Sequence, residues 1–326
     1  MLFFGTVLAS LPILASAYAP EAINAEALRA LLARATLDSS AGIDQNVSDY
    51  YLGYKPADYS TAWAKYFNDT PIDLNSDFLA GLAASPVLAE QGVPFSEAAA
   101  SLSEPGYLPL ENGYTILDDG TMYLAIQTFA PDDFSGEAYD FWFSWHINDT
   151  TKYKLWYPGA HQYAAITQAQ TDSLETKSSY RERYWNLTSF VDEYIGDTAY
   201  KLSIAFFDPS LMGFEVESCE TGIETIVTGF VTISAYIEQD PTSAAKAGFG
   251  PVSVILAHQV RQRPDGNGME IRSRFWFGNV LVNAMRGLFD PLSLGRNLSI
   301  HCAAEMTHLT GFLPALFQEF KDDVAT

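Results

Sequence analysis

The spacing of apolar and polar positions changes several times along the chain. Residues 20–36 (APEAINAEALRALLARA) repeat at a helical interval and predict an amphipathic helix. Residues 37–75 are rich in Asp, Tyr and Ser with no clear period, and predict an irregular lead-in. Between 77 and 102, DFLAGLAASPVLAEQGVPFSEAAASL predicts helical pieces broken at Pro86 and Pro94, because proline has no N–H to give a helix and crowds the preceding turn. Beyond Gly106 the interval falls to two. GYTILDDGTMYLAIQTF predicts strand, Asp-Asp-Gly turn and strand. KLSIAFFDP, TIVTGFVTISAYI, PVSVILAHQVRQR and EIRSRFWFGNV predict further strands, and PDGNG at 264–268 is a hairpin turn between the last two. Residues 298–323 return to a helical period and run to an acidic end. The class this predicts is α+β: an antiparallel sheet over about 107–280, closed by a long C-terminal helix. No internal repeat or low-complexity tract interrupts it.

Composition narrows the role. With 326 residues, 48% of them apolar, the chain can bury a substantial core as one large domain or two small ones. Its formal charge of −22 repels phosphate backbones and anionic lipid, so nucleic-acid and membrane-surface partners are not expected. The opening MLFFGTVLASLPILASAYA is apolar through Leu14 and ends in small residues, the pattern of a signal peptide over 1–19 cut after Ala17 or Ala19. Asn-x-Ser/Thr sequons stand at Asn46, Asn68, Asn148, Asn186 and Asn297. After a signal peptide they predict a secreted, N-glycosylated protein. Cys219 and Cys302 are the only cysteines; they exclude a thiolate-rich metal site and leave a single disulfide open.

Candidate chemistry centres on SIHCAAEMTHLTGFLPALF, residues 299–317, where His301, Glu305 and His308 fall at i, i+4 and i+7. Side chains at i and i+4 share a helix face one turn apart, so His301 and Glu305 can reach one cation. A mononuclear site needs further ligands from elsewhere. The other three histidines are His146, His161 and His258. The spacing alone is equally that of an ion pair or a hydrogen-bonded core histidine.

Five segments in order, WHINDTTKYKLWYPGAH, RERYWNLTSFVDEYIG, FFDPSLMGF, HQVRQRPDGNGMEIRSRFWFG and HCAAEMTHLTGFLPALF, resemble the 2,4-diacetylphloroglucinol hydrolase (PhlG-type) family, which includes phloretin hydrolase-like enzymes. The resemblance covers roughly 105–320 and implies a boundary between an N-terminal extension, 20–104, and a hydrolase domain, 105–326. It implies a Bet v 1-like (START-like) curved sheet around the long helix. It also implies one zinc ion per chain, held by His161, Glu193, His301 and Glu305, and cleavage of the carbon–carbon bond between an acyl group and a phenolic ring. Asp192 competes with Glu193 for its place, and His146 with His161. Tyr153 matches a tyrosine that contacts substrate, and His258 a histidine near it that is the candidate general acid/base. Two departures stand out. Ala164 and Ala165 replace a substrate-contacting Asn, and Phe275 stands where a second phenolic contact is expected. Both point to a less polar or differently substituted ring. The expected partner is a small phenolic substrate, and a homodimer stays open. So do two other readings, a metal enzyme of another type acting on an aromatic polyketide (ester hydrolase, decarboxylase or cyclase) and a non-catalytic binder of hydrophobic small molecules.

Overall fold

The computed structural model describes residues 50–215, 222–235, 252–278 and 291–324. The proposed signal peptide, the helix over 20–36, Asn46 and Cys219 with its pairing lie outside them. Helices α1 (Ser76–Ala84) and α2 (Ala98–Ser103) precede the sheet. There follow β1 (Gly113–Ile116), β2 (Met122–Ala130), α3 (Gly136–Trp145), α4 (Thr150–Trp156), β3 (His161–Ala165), α5 (Gln168–Leu174) and α6 (Tyr180–Tyr184). Strands β4 (Thr188–Ile195), β5 (Thr198–Phe207), β6 (Ile223–Ala235), β7 (Val252–Gln262) and β8 (Met269–Phe277) lead to α7 (Pro291–Phe320).

The eight strands form one sheet in the order β1-β2-β8-β7-β6-β5-β4-β3, with antiparallel neighbours throughout. From β3 to β8 the chain meanders strand by strand, so the only long crossing runs from β2 to the far edge at β3. Helices α3 and α4 make that crossing. The α+β class and the long final helix stand as expected, although α7 begins seven residues earlier, at Pro291. Two strands, β3 and β4, and four helices, α3 to α6, went unpredicted. Every residue of GEAYDFWFSW in α3 except Glu137 is buried, so it shows no amphipathic stripe. In β3 and β4 the inward positions include His161, Ser189 and Glu193, and these polar residues hide the alternation of a strand.

Both faces of the sheet are covered. Inward side chains such as Leu124, Val254 and Phe275 share one core with α3, α4 and α7. Outward side chains such as Tyr123, Ile255 and Trp276 share a second core with Val93, Ala98, Leu102 and Leu110 of the segment before β1. That segment is also held by hydrogen bonds: Trp276 Nε1 donates to the Val93 carbonyl at 2.8 Å, and Gln259 Nε2 to that of Leu102 at 2.9 Å. Glu111 accepts from Arg272 Nη2 at 2.7 Å and pairs with Arg274, while Arg261 pairs with Glu270 at 2.7 Å. Helix α3 is fixed by Asp140, whose carboxylate accepts from the Tyr184 hydroxyl (2.8 Å), Thr225 Oγ1 (2.7 Å) and Arg181 Nε (2.7 Å).

Further upstream, residues 51–54 clasp α4 and the turn after it. Lys154 Nζ donates to the carbonyls of Tyr51 and Gly53, the second at 3.1 Å, and sits over the Tyr51 ring. The Gly53 N–H donates to the Pro158 carbonyl at 2.8 Å. Among the described residues, no helix is long and apolar enough to cross a membrane.

Candidate metal centre

Three elements bring the candidate ligands together. In α7, His301 and Glu305 project from one face as their spacing requires, with His301 Nε2 3.7 Å from Glu305 Oε2. Strands β3 and β4 supply the rest through an irregularity. Tyr163 pairs with Asp192, Ala164 with Val191 and Ala165 with Phe190; then the register shifts and His161 pairs with Glu193. Gln162 is the extra residue of a β-bulge. Regular alternation would turn His161 to the same side as Tyr163, whose ring stacks on Tyr50 at 4.6 Å on the outer side. The bulge turns His161 inward instead, opposite Glu193.

The four side chains then converge. His161 Nε2 lies 3.4 Å from His301 Nε2, 3.5 Å from Glu305 Oε2 and 3.7 Å from Glu193 Oε2. Glu193 turns its other oxygen, Oε1, to His301 Nε2 at 3.7 Å. His161, His301 and Glu305 offer ligand atoms all within 4.8 Å of one another. Nitrogen and oxygen ligands about 2.0–2.1 Å from a tetrahedral ion stand roughly 3.3–3.4 Å apart, so these edges suit one central cation after small adjustments. The His161 Nδ1–H donates to the Tyr153 carbonyl at 3.0 Å. That bond fixes the tautomer and leaves the Nε2 lone pair for a metal.

The electrostatics point the same way. Burial pushes the Glu305 carboxyl well above its usual range, and the neighbouring Glu193 adds to this. Burial, helped by His301, holds the His161 imidazole well below its usual value. A divalent ion held there would favour both the neutral form of His161 and the ionised form of Glu305.

Tyr153 closes the assembly. Its ring stacks on His161 with centroids 3.8 Å apart and planes 1° from parallel, and its hydroxyl donates to Glu193 Oε2. The hydroxyl expected on substrate therefore rests on a candidate ligand. The two rivals fall elsewhere. Asp192 faces the outer side, where burial raises its carboxyl to about 7 against the pull of Lys201. His146 lines the same cavity but stays out of the cluster, its Nδ1–H donating to the Trp142 carbonyl at 2.6 Å. His308 is tied to the Trp156 carbonyl at 3.0 Å.

The cluster opens into a cavity whose non-atom space is about 700 Å³, open solvent at its mouth included. His258 and Phe275 also line it. His258 Nδ1 is hydrogen-bonded to Ser273 Oγ at 2.7 Å, and burial lowers its pKa to about 3, so the imidazole is neutral at physiological pH. Ser273 had drawn no attention in the sequence. The signal was available, since counting equally outward from the turn at 264–267 reaches His258 and Ser273 together.

The family model described as DAPG hydrolase PhiG domain matches residues 94–318. The chain belongs to the DAPG hydrolase family. Among its relatives, a 2,4-diacetylphloroglucinol hydrolase of Pseudomonas protegens is 26% identical over 83% of this chain and 88% of its own length. A phloretin hydrolase of Eubacterium ramulus is 23% identical over 83% of this chain and 94% of its own. An alignment of that extent is longer than 105–326, so the likeness of this DAPG hydrolase family member to its relatives reaches into the segment that covers the outer face.

Proposed function

We propose that this chain is a zinc-dependent hydrolase that cleaves the carbon–carbon bond between an acyl group and a phenolic ring, on a Bet v 1-like scaffold. The observation that carries the reading is the meeting of His161, Glu193, His301 and Glu305 at one end of a largely apolar cavity. The relatives' names, a diacetylphloroglucinol hydrolase and a phloretin hydrolase, support the reaction class. Water contributes hydroxyl to the acyl carbon and hydrogen to the ring carbon, giving a carboxylic acid and a deacylated phenol.

Those four residues would hold the ion, which when bound supplies Lewis acidity to a carbonyl and lowers the pKa of water. Tyr153 keeps Glu193 and His161 in place through its hydroxyl and its carbonyl. His258 is the group that exchanges a proton with the ring. With Nδ1 on Ser273, its Nε2 remains free for the substrate. The aromatic walls of Phe143, Trp156 and Phe275 bracket a flat ring and exclude bulk water.

The test combines metal analysis of purified protein with incubation on acylphloroglucinols and detection of both products. Stoichiometric zinc with release of acid and deacylated ring is expected. Zinc without cleavage would move the reading to another reaction at the same centre, and absence of metal would remove it. Secretion is part of the proposal. It rests on the apolar leader and on Asn68, Asn148 and Asn186, which are exposed, whereas Asn297 is half-buried against Gly196. Sensitivity of the natural protein to a glycan-removing amidase would check it.

A further inference from the structure

The cavity has two unlike walls. One carries most of its polar groups, in a chain of ring contacts that starts at His258 on β7, beside the apolar strip, and runs through Phe143 (6.4 Å), His146 (5.6 Å) and Tyr153 (6.0 Å) to His161 (3.8 Å). The opposite wall is the middle of the sheet, where Leu202 and Ile204 of β5, Val231 and Ile233 of β6, and Val254 and Leu256 of β7 face inward. Cross-strand register joins them, with Ile204 beside Val231, Val231 beside Val254 and Leu202 beside Ile233. These are interior strands, so their main-chain groups are committed to the ladder. These six side chains and the backbone behind them thus offer a ligand no hydrogen bond; the nearest polar group lining the cavity from the same strands is His258, two residues along β7 from Leu256. Nor does α7 fill it: among the described residues the helix packs chiefly on β1, β2 and β4 and on α1, α3 and α4, while α3 reaches part of β6 and β7.

We propose that the substrate is an acylphenol with an extended aliphatic acyl chain, laid along the apolar strip of β5–β7, its ring hydroxyls turned to the polar groups at the cavity's other side. This deepens the acyl–aryl hydrolase reading and rests on it. A chain of only two carbons leaves the strip in contact with nothing or with poorly bonded water. A ring hydroxyl pressed against it would lose its partners. Each methylene placed there instead loses its hydration at a gain equivalent to about fourfold in binding.

The decisive measurement is kcat/KM of the zinc-loaded protein for 2-acylphloroglucinols from acetyl through butanoyl to octanoyl. It should rise roughly fourfold per methylene until the strip is filled. Val231→Phe should lower the hexanoyl-to-acetyl ratio at least about tenfold; Ile204→Phe serves the same purpose if the first variant does not fold. Equal or better turnover of the acetyl compound, or an unchanged ratio in a folded variant, overturns the proposal. Calorimetric binding of 4-hexylresorcinol against 4-methylresorcinol, neither of which can be hydrolysed, separates the two claims. If no acylphenol is cleaved yet the hexyl compound binds at least about tenfold tighter, the reaction is wrong and the strip is right. Equal affinities remove the strip whatever the reaction.

Discussion

On the outer face of the sheet Glu111 sits between Arg272 and Arg274, and Arg261 holds Glu270. On the inner face two carboxylates meet two imidazoles, with no guanidinium or ammonium among the four. Both sets lie against one sheet. The outer set neutralises itself and fastens a covering segment; the inner set has no guanidinium or ammonium partner among the described residues, and His161, His301 and Glu305 are placed so that they could hold a metal ion. Burial of charge by itself does not mark a functional site, because desolvation acts on every buried charge. The sign of what is left over does.

Substitutions should separate the two faces. The largest effect is expected from Glu305→Gln, with loss of bound metal and on the order of a thousandfold lower kcat/KM, read by metal analysis and kinetics. Glu111→Gln should do the reverse, retaining metal stoichiometry while losing about 3–5 kcal/mol of stability in urea, because two buried guanidiniums are left short of a counter-charge. Between these, Tyr153→Phe frees Glu193 Oε2 from its hydroxyl donor and should weaken metal affinity about 10- to 100-fold, measured by competition with a chelator.

Acid should unfold the two faces in sequence. Burial lowers His146 and His258 to about 3 from 6.5, so the stability these two contribute is full above pH 6.5. It falls as the pH drops from there towards 3, because the unfolded chain takes up protons that the folded one refuses. Glu111 behaves differently. Burial raises its carboxyl, but Arg274 and Arg272 outweigh that and leave it at about 2, so its share is lost only between pH 4.5 and 2. Urea midpoints across this range should show the first decline in the wild type and, in Glu111→Gln, little of the second. The smallest change belongs to Asp192→Asn, which should alter neither metal content nor kcat/KM by more than about twofold, since Asp192 lies across the strand from Glu193.

The contrast also explains what could be read from sequence. His301 and Glu305 were legible because a helix keeps its period and their spacing declares a shared face. Strands β5 to β8 were legible because their inward positions are mostly aliphatic. His161 was not placed by pattern, because an added residue at Gln162 reverses its side, and a bulge leaves no mark in composition. Resemblance to a family singled it out instead. Helix α3 escaped for the opposite reason, being buried on nearly every side, Asp140 included.

The carbonyls of Tyr51 and Gly53 that grip Lys154 have a practical corollary. A fragment trimmed to the residues that the family model matches, 94–318, would retain each proposed ligand and discard the clamp on the helix carrying Tyr153. The bounds of the family model are therefore a poor guide to where the working molecule begins.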